Sequence, residues 1–131
     1  PVRWRQMTTT SEQVRDWART AAQAASAKGG EETVIIEVGA VLAITDAFVI
    51  TSGRNTRQVK TIAEEVEARL KADGGIAPLR VEGVGDSQWV LLDYGDLVIH
   101  VFLDETREFY DLERLWSDAP RVAWEDQIAH K

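Results

Sequence analysis

From Thr9 to Gly30 the apolar positions Val14, Trp17, Ala18, Ala21 and Ala25 recur at intervals of three and four. That period lines one face of an α-helix. Thr9 with Glu12 fits a capping box at its start, and Gly29–Gly30 ends it. The pattern then changes. Thr33–Val38 and Asp46–Gly53 are short, β-branched and bounded by turn residues, which predicts strands. Asn55 or Thr56 can cap a second helix with Val59, Ile62, Ala63, Val66 and Leu70 on its apolar face, stopped by Asp73–Gly75. Leu79–Glu82 offers a third short strand, and strand, helix, strand in this spacing predicts a right-handed βαβ crossover.

The stretch WVLLDYGDLVIHVF, Trp89–Phe102, alternates about Gly95-Asp96. Glycine at the first loop position suits a two-residue type II′ turn, because that position needs a positive φ. Strand parity then sets Asp93 opposite Val98, Leu91 opposite His100 and Trp89 opposite Phe102. One face carries Trp89, Leu91, Asp93, His100 and Phe102. The other carries Val90, Leu92, Ile99 and Val101, all aliphatic, and is core. In DETREFYDLERLW, Asp104–Trp116, the residues Phe109, Leu112, Leu115 and Trp116 fall at helical spacing, with Asp104 or Thr106 as cap. From Ser117 the periodicity fades; apart from Val122 and Trp124 the segment reads as a loose tail.

These elements make an α/β or α+β fold: a single domain with a mixed sheet of about five strands packed with helices. Residues 1–10 read as an N-terminal extension whose first six residues resemble a cloning remnant, since Met7 is a more natural start; 11–116 is the domain and 117–131 the tail. The chain has 131 residues, 44% of them hydrophobic, enough for a real core. It has no cysteine, which removes disulfides, thiolate catalysis and iron–sulfur clusters. No apolar run spans a bilayer and no secretory signal pattern opens the chain, so the expected location is cytoplasmic. The net charge of −7 argues against tracking nucleic-acid phosphates and favours docking on a basic protein.

Three candidate sites stand out. Asp93 and His100 are diagonal neighbours and can form a general acid–base pair, but no Ser, Lys or metal pattern adjoins them; the plain alternatives are a turn aspartate with a half-buried histidine, or a binding face. Thr51–Lys60 places Gly53, Arg54, Arg57 and Lys60 at a helix N-terminus, as a phosphate cradle would, yet lacks Gly-Lys-Ser/Thr, G-x-G-x-x-G and a following D-x-D. It reads otherwise as a tight turn with solvated basic residues. His100 and His130 are the only imidazoles, too few for a structural zinc site, and no cofactor is expected. Trp89, on the face opposite the aliphatic one, is either a second-layer core residue or an interface anchor.

The order TDAFVITSGRNTRQV, VEG, WVLLDYGDLVIHVF and TREFYDLERLW resembles the ribosomal silencing factor (Iojap) family, over about Thr33–Trp116. The resemblance implies a nucleotidyltransferase-like fold without its catalytic carboxylates, and a non-enzymatic translational repressor. Such a repressor binds the large ribosomal subunit through ribosomal protein L-fourteen, blocks joining of the small subunit when nutrients are short, and is often a homodimer. On this reading Trp89 and Tyr94 anchor the partner, and Asp93, Asp96, His100, Arg107, Tyr110, Glu113 and Arg114 complete the contact surface. The rival reading is a small nucleotide-binding or nucleotidyltransferase-like enzyme using the Thr51–Lys60 loop.

Overall fold

The computed structural model describes residues 9–42 and 44–125. Helix α1, Ser11–Ala27, begins one residue later than the sequence pattern suggests. Its cap is Thr10, whose hydroxyl accepts the Gln13 amide at 3.1 Å, while the Gln13 side chain accepts the Thr10 amide at 3.2 Å. Glutamine satisfies the same two orphan donors that glutamate would, so Thr9–Glu12 was the wrong member of two overlapping candidates. α1 buries Val14, Ala18, Ala21, Ala22, Ala24 and Ala25, small side chains that let it lie close to its neighbours. Helix α2, Thr56–Gly74, is capped by Asn55, which accepts the Gln58 amide at 2.8 Å, and stops at left-handed Gly75.

Five strands, β1 (Glu31–Glu37), β2 (Ala47–Gly53), β3 (Arg80–Glu82), β4 (Trp89–Asp93) and β5 (Leu97–Leu103), form one mixed sheet in the order β1-β2-β5-β4-β3. β2 and β5 are parallel, and the other neighbours are antiparallel. The β2–α2–β3 unit is therefore a split crossover, with the β4–β5 hairpin filling the two places between its strands. Burial explains the order. β2 and β5 are the most thoroughly buried strands and take the centre, whereas Arg80 and Glu82 suit β3 to an edge. The hairpin has the register expected from parity, with Trp89 paired to Phe102, Leu91 to His100 and Asp93 to Val98. Gly95 has φ 89, and the Tyr94 amide donates to the Leu97 carbonyl at 2.8 Å, closing the two-residue loop.

The sheet is covered unequally. On one face α1 and α2 enclose Ile35, Val49, Val90, Leu92, Leu97, Ile99 and Val101. On the other, Ile36, Val38, Phe48, Ile50, Val98 and Phe102 lie under Trp89, Leu91, Leu112, Trp116 and Ala119, a thinner layer. This second cover corrects the expected helix over 104–116. α3 ends after Asp104–Tyr110, Asp111 turns left-handed at φ 48, and a 3-10 turn occupies Leu112–Trp116. The break resets the helical phase: Leu112 and Trp116 face the sheet, while Phe109 and Leu115 are 81% and 75% exposed. Neither Asp104 nor Thr106 caps α3; Leu103 holds that position with no side-chain bond.

The loose tail is also corrected. Its described part runs along the outer edge of β1, where the Glu37 amide donates to the Pro120 carbonyl and the Val122 amide to the Ile35 carbonyl, at 2.9 and 3.0 Å. Trp124 Nε1 donates to the Thr33 carbonyl at 2.8 Å. Main-chain pairing of this kind needs no side-chain period, which is why the sequence pattern does not show it. Expectations about residues 1–8, residues 126–131 and His130 lie outside the described residues. No helix among the described residues is long and apolar enough to cross a membrane.

Candidate functional site

The hairpin is built so that one strand face belongs to the helix-side core and the other is left partly open. Trp89 stands at the centre of the open face. Its ring lies 4.7 Å from Phe102 beside it and 4.9 Å from Tyr110, which reaches over from α3. Its indole N–H donates to His100 Nδ1 at 3.1 Å. Nδ1 must then be the bare nitrogen, so the imidazole proton sits on Nε2, which is buried with no hydrogen-bond partner among the described residues. Burial holds the His100 imidazole down to about 4, and it is neutral at pH 7.

Asp93 does not meet His100. One of its oxygens accepts the Gly95 amide at 2.8 Å and the other accepts from Arg80 at 2.9 Å. The Arg80 guanidinium, then the Gly95 amide, hold its carboxyl below the usual range. Leu91, not Asp93, stands across from His100. The acid–base pair is thus replaced by two separate devices: an aspartate that fixes the hairpin turn, and a neutral histidine that fixes the Trp89 ring.

Other expected contact residues part company. Tyr94 lies on the opposite side of the sheet from Trp89, packed against the helix-side core with its hydroxyl buried and unpartnered among the described residues. Burial, then the nearby Glu67 charge, pushes that hydroxyl's pKa up. Parity continues through the end of β4, so Tyr94 follows Val90 and Leu92 rather than escaping at the turn. Asp96 is half-exposed in the loop, and its carbonyl accepts the Asp46 amide at 2.9 Å, tying the turn to the start of β2. Arg107 is 6% exposed and is no surface group. Glu113, half-buried, is its ion-pair partner at 2.7 Å. Burial raises the Glu113 carboxyl, and Arg107's hydrogen bonds and charge more than reverse this, leaving it below its ordinary value. Tyr110 and Arg114 are exposed.

Two further residues belong to this face. Leu91 lies with Trp89, Glu82 and Gly83 around a shallow cleft of about 260 Å³. Gly83, at φ 87, has no room for a side chain, since a Cβ there would stand 2.0 Å from the Trp89 carbonyl oxygen. The signals were an apolar residue on the aromatic face and a glycine just after a strand. The resulting surface joins Trp89, Leu91 and Tyr110 to exposed Phe109, with carboxylates at Glu82 and Asp93 on its β3 side. Broad, shallow and apolar at its centre, it suits a macromolecule better than a small substrate.

The α2 N-terminus is less open than its sequence suggests. Arg54 pairs with Glu31 at 3.1 Å, Asn55 caps the helix, and the Gln58 side chain accepts the Arg54 amide at 2.7 Å. Arg57 and Lys60 border a cleft of about 300 Å³ that also contains Asp86. Among the described residues, no three His, Asp or Glu side chains are grouped to hold a metal ion.

Comparison with known proteins adds a separate line. Residues 11–131 match the family described as "Ribosomal silencing factor during starvation". The chain is 38% identical over 109 residues to the ribosomal silencing factor of Halalkalibacterium halodurans, covering 83% of this chain and 92% of that protein. It is 31% identical over 107 residues to the mouse protein named "Mitochondrial assembly of ribosomal large subunit protein 1", covering 78% of this chain and 44% of that longer one. A crystal structure of protein CV0518 from Chromobacterium violaceum superposes with a TM-score of 0.76 at 30% identity, covering 79% of this chain and 86% of that one.

Proposed function

The chain belongs to the ribosomal silencing factor family, and from that premise we propose that it represses translation by seating the Trp89 face on the large ribosomal subunit, through ribosomal protein L-fourteen, and so keeps the small subunit from joining. Its role is regulatory. The action is steric, by occupancy of a shared surface, and calls for no bond to be made or broken. The observation that supports this reading best is Trp89 itself: a half-buried ring, held by His100 and backed by Phe102, with Tyr110 at its side and an apolar slot next to it. Rigid, partly desolvated aromatic anchors of this kind carry most of the energy of protein interfaces. The net charge of −7 suits a basic ribosomal protein and disfavours bare ribosomal RNA.

Within this proposal the contact set is Trp89, Leu91, Tyr110 and Arg114 with carboxylates near the β3 edge. His100, Arg107 and Glu113 support it from behind, and Tyr94 belongs to the core. The protein acts in the cytoplasm, and the exposed Phe109 and Leu115 support self-association into a homodimer when no ribosome is present. An enzyme built on Thr51–Lys60 is less well supported, because Arg54 and the helix amide it would use already have partners.

The test is co-sedimentation with isolated large subunits, followed by addition of small subunits. The wild-type protein should travel with large subunits and reduce the assembled fraction. Trp89→Ala should weaken binding at least tenfold, about 1.4 kcal/mol or more, while its circular dichroism stays native. A folded Trp89→Ala variant that binds as tightly as wild type would refute the anchor.

A further inference from the structure

The 104–116 segment supplies Tyr110 and Trp116 to the open face, yet little in its own sequence holds it. α3 has no side-chain cap, the 3-10 turn fully buries none of its residues, and the left-handed Asp111 lies between them. Beside the packing of Leu112 and Trp116 on the sheet, the polar group that ties it down is Arg107. Its Nη1 donates to the Glu31 carbonyl at 2.9 Å and to Ser52 Oγ at 3.0 Å. Its Nη2 donates to the Glu32 carbonyl at 2.7 Å and to Glu113 Oε2 at 2.7 Å, and Nε reaches Glu113 Oε1 at 3.4 Å. Two of these acceptors are main-chain carbonyls at the irregular start of β1, where Glu32 is left-handed at φ 48. The Glu113 carboxylate lies on the far side of the hinge, and the Asp111 amide donates to the Arg107 carbonyl at 2.8 Å. One guanidinium therefore spans two left-handed non-glycine residues, Glu32 and Asp111, and ties the roof to the sheet.

We infer that the Arg107–Glu113 pair is a latch that positions the Tyr110–Trp116 roof over the Trp89 face, so that Arg107 controls docking without touching the partner. The inference rests on the docking role proposed for that face. Arginine alone can make this set of bonds. Its planar fork serves two carbonyls, a hydroxyl and a carboxylate at once, which the three donors of a lysine ammonium cannot reach together. The sheet-side acceptors of Arg107 are confined to Glu31 and Glu32 at the start of β1 and Ser52 near the end of β2, so loosening the pair frees the roof before it disturbs the rest of the sheet.

The experiment combines large-subunit binding with amide hydrogen exchange on Arg107→Lys, Glu113→Gln, Tyr110→Ala, Trp89→Ala and the Arg107→Lys/Tyr110→Ala double variant. Arg107→Lys should weaken binding about tenfold, with Glu113→Gln following in the same direction. Exchange should quicken in 104–116 and in Glu31–Val34, leaving β2 and β5 protected. In the Tyr110→Ala background the lysine change should cost less than about threefold, since both act through the same roof. A purely structural role would give equal costs in both backgrounds, or loss of protection across β2 and β5, and either result overturns the latch. Unchanged affinity in Arg107→Lys, beside a weakened Trp89→Ala, overturns the latch and spares the docking face. Unchanged affinity in Trp89→Ala removes the docking face, and the latch with it.

Discussion

His100 shows how one residue can be located correctly and read in two chemical ways. Parity put it on the aromatic face of β5, and that is where it lies, 5% exposed. What parity could not supply is the direction of its bonds. Nδ1 takes the Trp89 proton, and the carboxylate that would have charged it is turned toward Arg80. The consequence is measurable. Burial puts folded His100 at about 4, against 6.5 for the free side chain, so between those values the unfolded chain holds the extra proton. Stability is therefore complete above about pH 6.5 and falls as the pH drops toward 4, by about 2 kcal/mol between pH 7 and pH 5. The lowered Asp93 and Glu113 carboxyls act at more acid pH, and Asp104, raised chiefly by burial, works in the opposite sense. Urea unfolding of wild type and His100→Gln, which keeps an acceptor for Trp89, isolates the histidine by difference. The variant should lack this slope; an identical slope in both would rule His100 out. Arg107 was misplaced for a related reason: a charged residue within a polar-looking helix reads as surface, and only the fold shows two carbonyls and a carboxylate converging on it.

Among the elements, those carried by a side-chain period were legible and those carried by main-chain bonds were not. α1, α2 and the hairpin follow from intervals of three and four or from alternation, and their registers agree with the structure. The break at Asp111 and the strap along β1 leave no such trace. Among the described residues of this strap, Trp124 packs with Val122 against the helix-side core and sets its N–H on the Thr33 carbonyl, while Arg19 and Gln23 of α1 donate to the carbonyls of Ala123 and Trp124. Trp124→Ala should cost about 2 kcal/mol, less than a fully buried tryptophan because the ring is only half-buried. Thermal unfolding would show it as a lowered midpoint. Large-subunit affinity should stay within about twofold of wild type, since the strap lies at the β1 edge and the Trp89 face at the β3 side. A large loss of affinity without a change in midpoint would instead make the strap part of the contact.

At the scale of the whole molecule, the sheet order decides what is exposed. Among the described residues two helices cover one face, and the other keeps a thinner cover, the 104–116 roof with Leu42 and Ala119, so the hairpin side next to the charged edge strand is left partly open. The sequence contained the strands but not this order, because a crossover pattern does not say whether its strands are neighbours or are parted by a later hairpin. The same arrangement puts the aromatic centre in the field of an acidic molecule of net charge −7. Attraction to a basic protein surface over distances near the Debye length, about 10 Å at 0.1 M salt, acts on the encounter more than on the bound state. The association rate constant with large subunits should therefore fall several-fold between about 50 and about 200 mM salt, with the dissociation rate changing by less than about twofold. Stopped-flow mixing with labelled subunits separates the two rates. An association rate that rises with salt would mean that repulsion from ribosomal RNA dominates the approach. A salt dependence carried mainly by dissociation would place ion pairs inside the contact itself, in place of the apolar Trp89 centre.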